Sequence, residues 1–165
     1  MDWPRENSFL EFTRPITPEG TVGMSAHEIP HVQPLPYQTM TPEETMLLNE
    51  RHPRLGGIYP ECNSGWFTII DVLCAELQRQ TDKYKAPQLV VTQIKQKFGT
   101  LRFHVACFDT ATDEIADEGY ASDTQVSLIA MAARLSARTC EICGRPGTMQ
   151  EREWIQALCI EHAAN

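Results

Sequence analysis

The 165-residue chain has no apolar run approaching 18 residues, so it offers no candidate membrane-spanning helix. It is poor in positive charge. Fourteen Lys and Arg stand against 22 Asp and Glu, a formal net charge of −8. That balance disfavours an unspecialised DNA-binding surface, because phosphates demand Lys and Arg. Catalytic signatures are missing too: there is no Gly-x-Ser-x-Gly elbow, no phosphate-cradling loop and no dinucleotide-binding glycine fingerprint. His27-Glu28 lacks the spacer of the His-x-Glu that a zinc deaminase needs, and Thr139 rather than proline precedes Cys140, which argues against that chemistry. A His-rich zinc nuclease would need more histidines near the C-terminus than His162 alone. The first residues, Met1 to Phe12, lack a basic patch followed by an apolar block. No secretory leader is therefore expected, and the expected location is cytoplasmic.

What is present supports a real core. Apolar residues make up 42% of the chain, and the length fits one domain with a small satellite module. Six cysteines without a leader point to a reducing compartment, where paired cysteines hold metal more often than they form disulfides. Cys62, Cys74 and Cys107 stand apart from the C-terminal group and are expected to be buried free thiols.

Three regions follow from the pattern. Residues 1–40 hold six of the eleven prolines and no apolar periodicity, so they read as a Pro-rich, acidic, extended arm. Its Trp3, Phe9, Phe12 and Tyr37 argue that part of it docks. The first fifty residues carry eight acids against Arg5 and Arg14, which places most of the excess negative charge there.

Residues 41–138 read as an α+β body. Thr41-Pro42-Glu43-Glu44 is a capping-box helix start, and Pro53 forces that helix to end by His52. A second helix over about 65–83 carries Trp66, Ile69, Ile70, Leu73 and Leu77 at helical spacing. Two extended runs, 88–97 and 100–108, flank Phe98-Gly99 and predict a β-hairpin. Simple alternation places Val90, Thr92, Ile94, Gln96 and Phe98 on one face, and Val91, Gln93, Lys95 and Lys97 on the other. Residues 109–121 predict an exposed acidic loop. Ser122-Asp123-Thr124-Gln125 caps a third helix, expected to be largely buried and to run to about Arg138.

Residues 139–165 predict a zinc-binding module. Cys140 and Cys143, then Cys159 and His162, form two pairs with the spacing of a structural zinc site. Gly144 lets the backbone fold back so that amides can face the sulfurs. A short helical turn puts the second pair on one face. Trp154 and Leu158 are expected to roof the site. Four protein ligands leave no position for water, so one structural Zn2+ per chain is expected. The fold class predicted is thus α+β: a small β-hairpin or sheet packed with two or three helices, plus a treble-clef or zinc-ribbon-like zinc knuckle at the C-terminus.

Two basic groups stand out in this acidic chain. Lys95, Lys97, Arg102 and His104 share the outer face of the predicted hairpin, where they can hold a phosphate, a nucleotide or an acidic partner, or form an ordinary solvated face. Arg134, Arg138, Arg145 and Arg152 flank the cysteines, and neutralising thiolate charge is their expected role.

Two stretches, Gln93 to Phe103 (QIKQKFGTLRF) and Ser136 to Gly147 (SARTCEICGRPG), with Trp154, the Leu158 to His162 closure and the upstream Gly65-Trp66, resemble a family of small uncharacterised proteins of bacteriophages and prophages. The resemblance covers about residues 62–163. It implies a phage origin, hence a host bacterial cytoplasm, and a zinc knuckle; it implies no established activity. The expected function is a non-enzymatic protein that binds and inhibits or redirects a host protein, such as an anti-defence (anti-CRISPR-like) protein. The alternatives are nucleic-acid or nucleotide binding through the hairpin face, and an enzyme whose site is assembled from scattered residues such as His52, Asp71, His104 and Glu118.

Overall fold

A computed structural model describes residues 39–116, 119–151 and 154–164. All but the last two residues of the expected arm lie outside the described residues, as do His27, Glu28, Glu118 and Arg152.

The first helix, α1 (Pro42–Arg51), starts where the capping box predicts. The Thr41 side chain accepts the Glu44 N–H, and the Glu44 carboxylate accepts the Thr41 N–H. It ends at His52, before Pro53. A short strand, β1 (Pro60–Glu61), leads into a single 3-10 turn at Ser64–Trp66 and then α2 (Phe67–Tyr84). Helix α2 buries Ile70, Leu73, Cys74 and Leu77, with Trp66 fully buried just ahead of it. It stops at Lys85, which adopts the left-handed conformation.

The hairpin forms as expected from β2 (Leu89–Lys97) and β3 (Thr100–Asp109). Phe98 and Gly99 both have positive φ, 52° and 68°, the backbone of a two-residue type I′ turn. Strand β1 pairs in parallel with β2, and β4 (Glu114–Ile115) adds to β3, giving the order β1-β2-β3-β4. The simple alternation is wrong in one place. Val91 pairs with Val105 and Gln93 with His104, so Thr92 is an extra residue in a β-bulge. Before the bulge Leu89 and Val91 face the core; after it Ile94 and Gln96 do, and Val90 and Thr92 do not.

Helix α3 (Asp123–Ser136) begins at the predicted Ser122–Gln125 capping box. It packs on β3 and α2, so the helices cover one face of the sheet and, among the described residues, leave the other open. Between them lies the core of Leu48, Ile70, Leu77, Ile94, Leu101 and Phe103. Helix α3 is only half-buried, contrary to expectation. Gln125, Ala132 and Ser136 face inward, whereas Val126, Met131 and Leu135 remain exposed, because among the described residues no further layer covers that flank. The architecture is α+β as predicted. The chain ends in a small two-stranded unit, β5 (Thr148–Gln150) and β6 (Gln156–Leu158), followed by α4 (Ile160–Ala163).

Candidate metal centre

Three local features bring the C-terminal cysteines and histidine together. The loop from Cys140 folds back on itself: Gly144 N–H donates to the Cys140 carbonyl, and Cys140 N–H donates to the Arg145 carbonyl. Gly144 makes this turn at φ +75°, a conformation that glycine adopts without steric cost. The β5–β6 hairpin then carries the chain back, with Glu141 N–H donating to the Ala157 carbonyl. Cys159 stands at the start of α4, and His162 lies one turn on, on the same face. Knuckle, hairpin and short helix follow one another in the order of a treble clef.

The four ligand atoms all lie within 4.8 Å of one another. Cys143 Sγ is 3.7 Å from Cys159 Sγ. His162 Nδ1 is 3.5 Å from Cys140 Sγ and 3.3 Å from Cys159 Sγ. With metal–sulfur bonds of about 2.3 Å and metal–nitrogen bonds of about 2.0 Å, a tetrahedron has S···S edges of about 3.8 Å and S···N edges of about 3.6 Å. These three separations match those edges to within about 0.3 Å, and the remaining ones lie within 4.8 Å. Cys140, Cys143, Cys159 and His162 can therefore hold a metal ion, and the histidine would bind through Nδ1.

The surroundings suit thiolates. Burial, the strongest influence, pushes the Cys140 thiol up, while the nearby backbone amides of Cys159, Cys143 and Ile142 favour its anion. Arg145 Nε donates to Cys143 Sγ at 3.3 Å, and this contact holds the Cys143 thiol down at about 6. The Arg145 guanidinium also grips Glu161 with both terminal nitrogens. Of the predicted basic flank, Arg145 therefore carries the charge-neutralising contact, while Arg134 and Arg138 are exposed and make no ion pair among the described residues. Leu158 packs against Cys140 and Cys159 as expected. Trp154 does not join that cluster and is 55% exposed.

Sequence reading missed how the knuckle is seated. Gly65 N–H donates to the Glu141 carbonyl at 2.8 Å, and Trp66 Nε1 donates to the Thr139 carbonyl at 3.0 Å. A Cβ on Gly65 would lie 2.2 Å from the Cys140 carbonyl oxygen, so only glycine permits the approach. Gln96 Nε2 donates to the Ile155 carbonyl, and the Gly99 turn packs on Met149. Gly65-Trp66 thus touches the cysteine loop, while the Phe98-Gly99 turn touches the β5–β6 hairpin. Glu141, between the first two ligands, is wholly buried. Its carboxylate accepts the Asn63 N–H and lies 3.4 Å from Gln156 Nε2, and desolvation pushes its carboxyl up. An acid inside a Cys-x-x-Cys loop gives no sequence signal of burial.

The other predicted residues fall in two places. Lys95, Lys97, Arg102 and His104 do share the open face of the sheet, with Lys95 directly opposite Arg102 and His104 opposite Gln93. His52 and Asp71 meet, with His52 Nε2 2.8 Å from Asp71 Oδ1, and Arg51 binds the other carboxylate oxygen at 2.7 Å. This contact ties the end of α1 to α2. His104 lies on the opposite side of the sheet from the core and does not join them. Cys62 and Cys74 are buried free thiols as expected, both pushed up mainly by desolvation, while Cys107 is only partly buried. An apolar groove of about 670 Å³ runs between α2 and α3, lined by Ile69, Val72, Leu128, Met131 and Leu135 among others.

No protein-family model matches this chain, and neither a curated protein nor a solved structure matches it. Among the described residues, no helix is long and apolar enough to cross a membrane.

Proposed function

We propose that this protein is a non-enzymatic binding protein held together by one structural zinc ion. The observation that carries the reading is the ligand set: one atom each from Cys140, Cys143, Cys159 and His162, gathered within 4.8 Å of one another, would together fill a tetrahedral shell and leave no position for water or substrate. Three thiolates and an imidazole favour zinc over the hard, oxygen-seeking cations Mg2+ and Ca2+. Zinc bound there would supply folding energy rather than chemistry, clamping the cysteine loop to α4 beneath Gly65 and Trp66.

The partner in this reading is a host bacterial protein that the chain inhibits or redirects, as the phage-protein resemblance implies. The apolar groove between α2 and α3 supports a protein partner, because Val72, Met131 and Leu135 are exposed there among the described residues and offer apolar surface that a partner can bury. Capture from a bacterial lysate tests it. Zinc-loaded full-length protein should retain a stoichiometric host protein, and Val72→Asp with Met131→Asp should release it while Tm holds. A captured set that does not change with these substitutions contradicts the reading.

A second reading, binding of a phosphate-bearing polymer, is favoured by one observation. Lys95, Lys97, Arg102 and His104 lie together on the open sheet face with no carboxylate partner among the described residues.

A further inference from the structure

The open sheet face breaks two local rules at neighbouring positions. Lys95 and Arg102 are directly opposed across β2 and β3, although like charges in that relation repel. Glu61 is the register neighbour of Lys95 on the other side, yet the two form no ion pair. At the end of the same hairpin, Phe98 sits at φ 52° in the first turn position. A type I′ turn calls there for Asn, Asp or Gly, and a bulky residue at positive φ is an outlier. The strain does not come with burial, because Phe98 is 61% exposed. Its ring instead lies beside one member of the cationic row, with Lys97 Nζ 5.5 Å from the ring centroid. Costly local choices at positions outside the core mark function more than folding.

The two anomalies fit one ligand. Lys95 and Lys97 are spaced two residues apart along a strand, about 7 Å, and Arg102 and His104 run beside them, so the face offers a lane of positive charge rather than a single anion pocket. An exposed aromatic ring at the end of such a lane is what a base stacks on. We propose that this face binds single-stranded nucleic acid, with phosphates along Lys95, Lys97, Arg102 and His104 and a base stacked on Phe98. The assignment rests on the second reading above and deepens it. A duplex is disfavoured because its base faces are hidden within the stack. An acidic polypeptide would satisfy the charges but would leave the strained aromatic without a purpose.

The test is fluorescence anisotropy with zinc-loaded full-length protein and labelled oligothymidylate, oligouridylate, a mixed-sequence duplex and polyglutamate, across a salt series. Single strands should bind most tightly, with affinity falling steadily as salt rises. Phe98→Asn suits the turn, so Tm should rise or hold while single-strand affinity drops about tenfold. A fold lost to mutation cannot produce that opposition. Lys95→Glu with Lys97→Glu should abolish binding. If the lysine variant abolishes binding and Phe98→Asn binds like wild type, the stacking role is overturned and the anion-binding reading survives. If no single strand binds even at low salt, both fall. Equal affinity for duplex or for polyglutamate overturns the single-strand assignment.

Discussion

The contact between Gly65 and the cysteine loop gives the sharpest perturbation, because two effects of Gly65→Ala have opposite signs. Gly65 lies in the turn that leads into α2, and replacing a glycine there with alanine lowers unfolded-state entropy, which on its own stabilises by about 0.4–1 kcal/mol. Against this, the added Cβ would stand 2.2 Å from the Cys140 carbonyl oxygen, 2.4 Å from that of Glu141 and 2.6 Å from the Glu141 carbonyl carbon. These are backbone atoms and cannot rotate aside. The loop must back away, which costs about 1–3 kcal/mol as overpacking. It also loses the Gly65 to Glu141 hydrogen bond, about 1 kcal/mol more. The net expectation is a loss of about 1–4 kcal/mol. For a chain of this size each kcal/mol moves Tm by about 2–4 °C. Thermal unfolding of the zinc-loaded protein should therefore show Tm lower by several degrees, and a chelator competition should show weaker metal binding, because Cys140 moves with the loop. A Tm unchanged or raised would refute the claim that the knuckle is seated directly on Gly65.

Further outcomes follow from other contacts. In metal-free protein Cys143 should be alkylated half-maximally near pH 6, and Arg145→Leu should raise that midpoint. The sign is that of a depressed acid: the thiolate's stabilising contribution is complete above the ordinary thiol value of 9.0 and is lost as pH falls through about 6. Cys62 and Cys74 should resist iodoacetamide in native protein at pH 8 and react on unfolding, as measured by mass spectrometry; prompt labelling would contradict their burial. Ser136→Ala should cost about 1–3 kcal/mol in urea unfolding, because the buried Leu101 N–H loses the Ser136 hydroxyl it donates to.

Where local chemistry decides structure, the sequence was readable. The capping boxes at Thr41 and Ser122 and the short loop at Phe98-Gly99 act within four residues, and each element begins or turns where they predict. The ligand set was readable for the same reason, since each ligand pair is spaced by local turn geometry. What depended on distant partners was not. The bulge at Thr92 is invisible because Val90, Val91 and Thr92 are all β-branched and fit either face; only pairing with β3 reveals the extra residue. Strand β1 has two residues and exists only against β2. The inner face of α3 carries Gln125 and Ser136, which look polar in sequence but are buried because Pro87 and Leu101 supply their hydrogen-bond partners. Phe98 follows the alternation into the core on paper, and the type I′ turn instead turns it outward. The meeting of His52 with Asp71 and the seating of Glu141 beneath Asn63 likewise join segments far apart in the chain.

The central claim is that one zinc ion closes the C-terminal knuckle. Elemental analysis of the purified protein, with X-ray absorption at the zinc edge, tests it most directly. The account predicts one zinc per chain in a tetrahedral shell of three sulfurs and one nitrogen, and loss of that ion with the C-terminal fold in Cys140→Ser. A native, fully folded protein free of metal would contradict it, as would zinc retained in full by Cys140→Ser.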